Sequence, residues 1–234
     1  MIRLAHPDWH FVISFHEHQT PVLVLENPVE YRRLVAGLLQ QTKGQPGRFV
    51  LSRDWTVLPL EQNMAMVSNV FSLGLTDRKL LNGLAKHAQA LSCQGKLCEV
   101  TAGAQAAVLE WMACLETELP VPIAYDDEPD VAALLKAVGL RFDEPDCGTP
   151  EALDRYIQVM TAMTGTRVIA FVNLMSAFSA EEMDALAKAA DYRKVHLLLI
   201  EPLVSARPQP SWERRYVVDK DLCELYPEED NRAY

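Results

Sequence analysis

No apolar run in these 234 residues reaches the roughly 18 needed to cross a bilayer, so no membrane span and no membrane partner is expected. A Cys-x-x-Cys pair is also missing. The five cysteines, Cys93, Cys98, Cys114, Cys147 and Cys223, are odd in number and scattered, which excludes a disulfide framework or a zinc knuckle and leaves buried thiols as the expectation. The first residues lack the uninterrupted apolar stretch of a signal peptide, because Asp8 and several histidines interrupt it, and the chain is placed in the cytoplasm. Low-complexity tracts are few as well. With 49% hydrophobic and 23% charged residues, the composition is that of an ordinary globular protein of one domain, or one domain with a large insertion.

Excess positive charge is lacking, since the net charge is −10. A globally basic nucleic-acid binder is therefore excluded, although the acidity is local: residues 116–154 carry 11 acidic against 2 basic side chains, and 219–234 carry 6 against 2. Residues 155–218 are slightly basic, with 8 against 6.

Glycine is missing from the one turn where a phosphate-binding enzyme would need it. The runs His10 to Phe15 and Val22 to Leu25 read as strands, and the second leads into Asn27-Pro28-Val29-Glu30. That is a helix start, with Asn27 as cap, proline where its absent N–H costs nothing, and Glu30 completing a capping box. Tyr31, Leu34, Val35, Leu38 and Leu39 continue it as one buried stripe. The turn offers no backbone cradle and no Lys-Ser/Thr, and Glu26 and Glu30 would repel phosphate. Nucleotide hydrolysis through a P-loop is excluded on these residues.

From Thr76 to Leu119 proline disappears, and two helical patterns flank Ser92 to Lys96. The second runs Val100, Ala104, Ala107, Val108, Trp111, Met112, Leu115 and Leu119, and Pro120 and Pro122 stop it. Two antiparallel helices of this length form an arm and not a simple strand-to-strand crossover. A short helix from Val131 to Val138 closes at Gly139. Strands and helices then alternate again: a helix from Thr149-Pro150 to Gly165, a strand Val168 to Val172, a capping box Ser179 to Glu182 with its helix, an apolar strand Val195 to Ile200, and a last strand Tyr216 to Val218 with a frayed acidic tail. The fold class expected is α/β, a parallel sheet covered on both faces, interrupted by a helical arm.

Two side-chain patterns carry possible chemistry. His16-Glu17-His18 would put two imidazoles on one side of an extended strand at a usable metal-ligand spacing, which keeps open a metal- or nucleotide-dependent hydrolase or phosphotransferase. Glu116, Glu118, Asp126, Asp127, Glu128 and Asp130 form the stronger cluster, a proline-punctuated set of oxygen donors suited to a hard divalent cation, or otherwise a solvated loop leading into a helix. A purely structural adaptor is a third reading of the same residues.

Five stretches, taken in order, resemble the small accessory protein family of type II-A CRISPR-Cas loci. They are Val22-Leu-Val-Leu-Glu26, Cys114-Leu-Glu-Thr-Glu-Leu119, Leu134-Leu-Lys-Ala-Val-Gly-Leu140, Phe171-Val-Asn173 followed by Phe178 and Glu181-Glu182, and Leu198-Leu-Ile-Glu-Pro202. The resemblance covers residues 20–40 and about 109–222, and 41–108 in pattern only. It implies a protein without catalysis, whose α/β head (1–72 and 140–234) resembles a degenerate P-loop fold and carries an inserted helical leg (73–139). It further implies a calcium-dependent homotetrameric ring that binds double-stranded DNA ends independently of sequence and serves spacer acquisition with the locus's integrase and effector nuclease. Glu116, Glu118, Asp126, Asp127, Glu128 and Asp130 are the implied calcium candidates, in a stretch where Pro120, Pro122 and Pro129 depart from the family's pattern. Arg32, Arg33, Arg193, Lys194, Arg207, Arg214 and Arg215 are the candidates for the DNA-facing surface.

Overall fold

The computed structural model describes residues 1–75, 77–143 and 148–230. The chain divides into two compact units, Met1–Gly74 with Glu144–Tyr234, and Leu75–Asp143; the sequence places the insertion at 73–139. Before the insertion come β1 (Ile2–Ala5), β2 (Ile13–Phe15), β3 (Thr20–Leu25), α1 (Pro28–Thr42), β4 (Val50–Arg53), β5 (Thr56–Leu58), α2 (Leu60–Asn63) and β6 (Met64–Val67). Within it lie α3 (Arg78–Ser92), α4 (Gly95–Glu118) and α5 (Val131–Ala137). After it follow α6 (Pro150–Thr164), β7 (Val168–Val172), α7 (Ala180–Tyr192), β8 (His196–Glu201), β9 (Glu213–Val218) and β10 (Glu224–Leu225).

The first unit is built on a six-stranded sheet in the order β10-β9-β3-β8-β7-β6, parallel throughout except at its β10 edge. Near-continuous apolar runs at β3, β7 and β8 are buried on both faces, as the sequence leads one to expect. On one face Leu23, Leu25, Val168, Ala170, Leu198 and Ile200 join Leu34 and Leu38 of α1. Alternate residues Ile169, Phe171, Leu197 and Leu199 serve the other, where α6 and α7 contribute the buried Leu153, Ile157, Met183 and Leu186.

A second sheet, absent from the sequence reading, pairs β2-β1-β4-β5 antiparallel. It takes in β2, the end of the run His10 to Phe15, and its Leu4, Ile13 and Leu51 close the core over α1. The β4–β5 hairpin turns through Asp54 and Trp55, both with positive φ, and Trp55 is 89% exposed beneath the Arg3 guanidinium, 5.1 Å from the ring centroid.

His6 is buried in this core, with ring centroids 4.7 Å from Phe49 and 5.4 Å from Trp9. Burial lowers the pKa of both His6 and His196. Above pH ~6.5 both are neutral whether the chain is folded or not; below it the unfolded chain takes up protons that the folded chain resists, so stability falls with acid. A melting midpoint lower by several degrees at pH 5.5 than at pH 7.5 is expected from thermal denaturation, and a flat profile would contradict it.

In the second unit α3 packs against α4 and α5. The 24 residues of α4 extend about 36 Å. Two seams run along it. Thr101, Gln105, Val108, Met112 and Leu115 are half-buried, and the Gln105 side chain donates to the Pro129 carbonyl at 2.7 Å. Leu97, Val100, Ala104, Ala107 and Trp111, spaced three and four apart, are exposed, Trp111 at 62%. No residue of α4 is buried.

That thin packing corrects the expectation of buried thiols, because Cys93, Cys98 and Cys114 lie on or between α3 and α4, where no core surrounds them. They are exposed, as is Cys223 beside β10; Cys147 lies outside the described residues.

Candidate functional site

The carboxyl edge of the parallel sheet is the place where a strand-turn-helix unit of this kind would hold a phosphate. Here the turn after β3 satisfies itself. The Asn27 Oδ1 accepts from the Val29 and Glu30 backbone N–H groups at 3.0 and 3.2 Å, and its Nδ2 donates to the Lys220 carbonyl at 3.0 Å. Glu30 does not complete the expected capping box, because its carboxylate pairs with Arg33 one turn along α1. Arg33 also meets Asp8 at 2.8 Å, so two carboxylates hold its guanidinium and raise its pKa.

A third acidic group deepens the negative character of this edge. Glu201, at the end of β8, is buried and accepts from the Met175 N–H at 2.9 Å; burial pushes its pKa up. Beyond β7, where a magnesium-binding carboxylate would sit in a nucleotide hydrolase, Asn173 adopts a positive φ and bonds the Ser176 hydroxyl at 3.1 Å. None of these groups invites a phosphate.

The basic candidates are mostly committed within the chain. Arg193 pairs with Asp154 at 2.6 Å, Arg207 donates to the Phe178 carbonyl at 2.9 Å, and Arg215 bonds the buried Glu213 at 2.5 Å. Arg214 corrects the sequence reading outright. It is only 9% exposed, and its guanidinium bonds Asp230 at 2.7 Å, Glu229 at 3.0 Å and the Tyr216 hydroxyl at 3.2 Å, so it is a core group and not part of a DNA-facing surface. The same contacts correct the frayed tail: Glu228–Asp230 forms a short 3-10 turn that returns Asp230 to the core. Lys194 is exposed and lies 3.7 Å from Glu17. Arg32 is exposed on α1 and has no ion pair or hydrogen bond through its guanidinium among the described residues.

The acidic candidates of the second unit are exposed and spread. Asp130 caps α5, accepting from Ala132 and Ala133 at 3.1 and 3.2 Å, and Glu116 accepts from the Tyr125 hydroxyl at 3.4 Å. Glu118, Asp126, Asp127 and Glu128 face solvent. Their oxygen donors are chemically suited to calcium, but among the described residues of one chain no three His, Cys, Asp or Glu side chains gather around a point where an ion could sit. The described residues of one chain do not form a metal site.

Nor do the described residues gather a metal site around the histidine pair. β2 ends at Phe15, so His16 and His18 occupy a turn and not one side of a strand, and His18 has a positive φ. His18 Nδ1 instead meets Asp191 at 2.7 Å, while His16 Nε2 is buried without a hydrogen-bond partner. Sequence reasoning passed over Arg53 and Arg167, which share a cavity with His16; isolated arginines in strand-flanking positions carry no pattern that would single them out.

A family model described as CRISPR-associated protein (Cas_Csn2) matches residues 41–222. Among solved structures, an ATP-binding cassette of an ABC transporter in its ADP conformation is similar at 11% identity and a TM-score of 0.48, over 98% of this chain and 92% of its own. A nucleotide-free cassette scores 0.42 at 12% identity over the same shares, and a bacterial Atm1-family ABC exporter with ATP bound scores 0.35 at 15% identity, over 81% of this chain and 30% of its own.

Proposed function

Since the chain belongs to the CRISPR-associated Cas_Csn2 family, we propose that it binds the ends of double-stranded DNA without sequence preference and without catalysis, as a homotetrameric ring acting in spacer acquisition. The family match over 41–222 is the observation that carries this reading. In it the head is a degenerate P-loop-like fold whose phosphate turn has been given over to Asn27, and the protein works in the cytoplasm with the integrase and effector nuclease of its locus. The self-satisfied turn and the acidic edge formed by Glu26, Glu30 and Glu201 support the non-enzymatic part of the reading.

Assembly is supported by the second unit. An exposed seam of Leu97, Val100, Ala104, Ala107 and Trp111 repeats at the spacing by which helices pair, and a solvated helix has no use for it. In a ring each exposed basic group recurs in every copy, so Arg32, Lys194 and Arg207 on a chain of net charge −10 would still present a repeated cationic track. Calcium enters as an ion shared between chains, with Glu116, Glu118, Asp126, Asp127 and Glu128 as the available donors, because one chain gathers no three of them. Contacts of this kind meet phosphates and not bases, so affinity should fall with salt at a log-log slope of about −0.9 per neutralised phosphate.

The test is equilibrium binding to a linear duplex and to the same DNA as a covalently closed circle, with calcium and with chelator. Retention on the linear form, lost in chelator, is the expected result. Equal binding to both forms would remove the ring that loads from ends, and no binding to either would remove the DNA role.

A further inference from the structure

At the amino-terminal edge of the parallel sheet, opposite the Asn27 turn, lies a cavity of about 490 Å³. That volume is within the usual range for small-molecule sites. Arg167 enters it from the residue before β7, His196 from the start of β8, Lys194 from the turn before β8, His16 and Glu17 from the turn after β2, and Arg53 from the end of β4. With the α-amino group of Met1, this makes four cationic groups against two lining carboxylates, Glu17 and Asp191, and Asp54 beside the cavity, which pairs with the Met1 amino group, on a chain that is acidic as a whole.

Three features distinguish this cavity from ordinary surface charge. The Arg167 guanidinium has no hydrogen bond or ion pair among the described residues, while its backbone is fixed, the N–H donating to Asn63 and the carbonyl accepting from His196, each at 2.9 Å. Asp191, the carboxylate that would most oppose an anion, is taken by the His18 ring at 2.7 Å and the His18 N–H at 3.1 Å. His16 Nε2 is buried and has no partner, a state that costs free energy until something supplies one.

From this geometry we propose that the cavity binds a phosphomonoester. A phosphate dianion offers the acceptors that an unpaired guanidinium fork recognises in two parallel bonds, and a further oxygen accepts from an imidazole N–H such as that of His16. Arg53 and Lys194 are held only loosely, each 3.7 Å from its carboxylate, and can turn to the ligand. The inference stands apart from the DNA-ring reading, since the ligand's phosphate can belong to a free nucleotide or to the 5′ end of a DNA strand.

The experiment titrates inorganic phosphate and adenosine monophosphate into the full chain by calorimetry, for the wild type, Arg167→Glu and His16→Gln, with melting midpoints as the check on folding. It then compares 5′-phosphorylated with 5′-hydroxyl linear duplex. Saturable binding of one phosphate per chain, weakened at least tenfold by Arg167→Glu and measurably by His16→Gln, is expected. A 5′-phosphate preference that Arg167→Glu abolishes assigns the DNA end as the source; mononucleotide binding with no such preference assigns a free nucleotide. Absence of saturable binding by any of these phosphates, or binding that folded Arg167→Glu leaves unchanged, overturns the proposal. Failure here leaves the linear-against-circular result untouched, and the reverse holds as well.

Discussion

Arg214→Ala is expected to destabilise the protein by about 3–5 kcal/mol, because it leaves the Asp230 carboxylate buried without its counter-charge. Tyr216 donates its hydroxyl to the same carboxylate at 2.5 Å, but one neutral hydrogen bond does not replace the lost guanidinium. Asp230→Ala should cost less, since Arg214 keeps Glu229 at 3.0 Å and reaches Gln19 at 3.3 Å. The pair Arg214→Met with Asp230→Leu should recover most of the loss, because an apolar pair of similar volume carries no desolvation cost. Urea denaturation of the four proteins compares these losses. Single variants within about 1 kcal/mol of the wild type would show that the pair contributes nothing, against the range expected for a broken buried pair.

Trp111→Glu should leave each chain folded and dismantle the proposed assembly. The indole is mostly exposed and α4 has no buried residue, so the substitution removes no intrachain core contact. In an assembly formed through the exposed seam, a central aromatic replaced by a charge costs about 2–4 kcal/mol at each contact, or roughly 30- to 1,000-fold in association. Sedimentation at micromolar concentration distinguishes the cases. An unchanged oligomer alongside unchanged helicity would place the subunit contacts elsewhere.

The elements that announce their own ends were legible in the sequence. Asn27-Pro28, Thr149-Pro150 with Gly165, and Ser179 with Glu182 each start or stop a helix where expected, and the reciprocal Ser179–Glu182 bonds are present. The buried strands β7 and β8 were legible because continuous apolar runs of five or six residues admit little else. The antiparallel sheet was not: the run His10 to Phe15 announced β2, but β1, β2, β4 and β5 have three or four residues each, too few for alternation to reveal how they pair. Nor was β6, whose Met64-Ala-Met-Val67 has little β-branched character.

The misread side chains share one cause, which is dependence on partners distant in sequence. Asp230 lies in a run of carboxylates that locally reads as solvated, and only the fold brings it to Arg214. His18 was placed by strand periodicity, but it has a positive φ and meets Asp191 of α7. The orphaned nitrogen of His16 and the unpaired Arg167 have no sequence signature, because an absence of partners is visible only once every neighbour is in place.

The pairing order of the parallel sheet also bears on how the protein emerges from the ribosome. β3 is made early, yet Val22 must find Leu199 on one side and Arg215 on the other, so the centre of the sheet stays open until nearly all of the chain has been synthesised. At roughly 5–20 residues per second, the interval between finishing Asp143 and reaching Val218 is on the order of ten seconds. The contiguous stretch Leu75–Asp143 needs no later residue to build its helices and can settle first. During that wait β3 is an apolar strand with two unsatisfied edges, the kind of surface most open to wrong pairing.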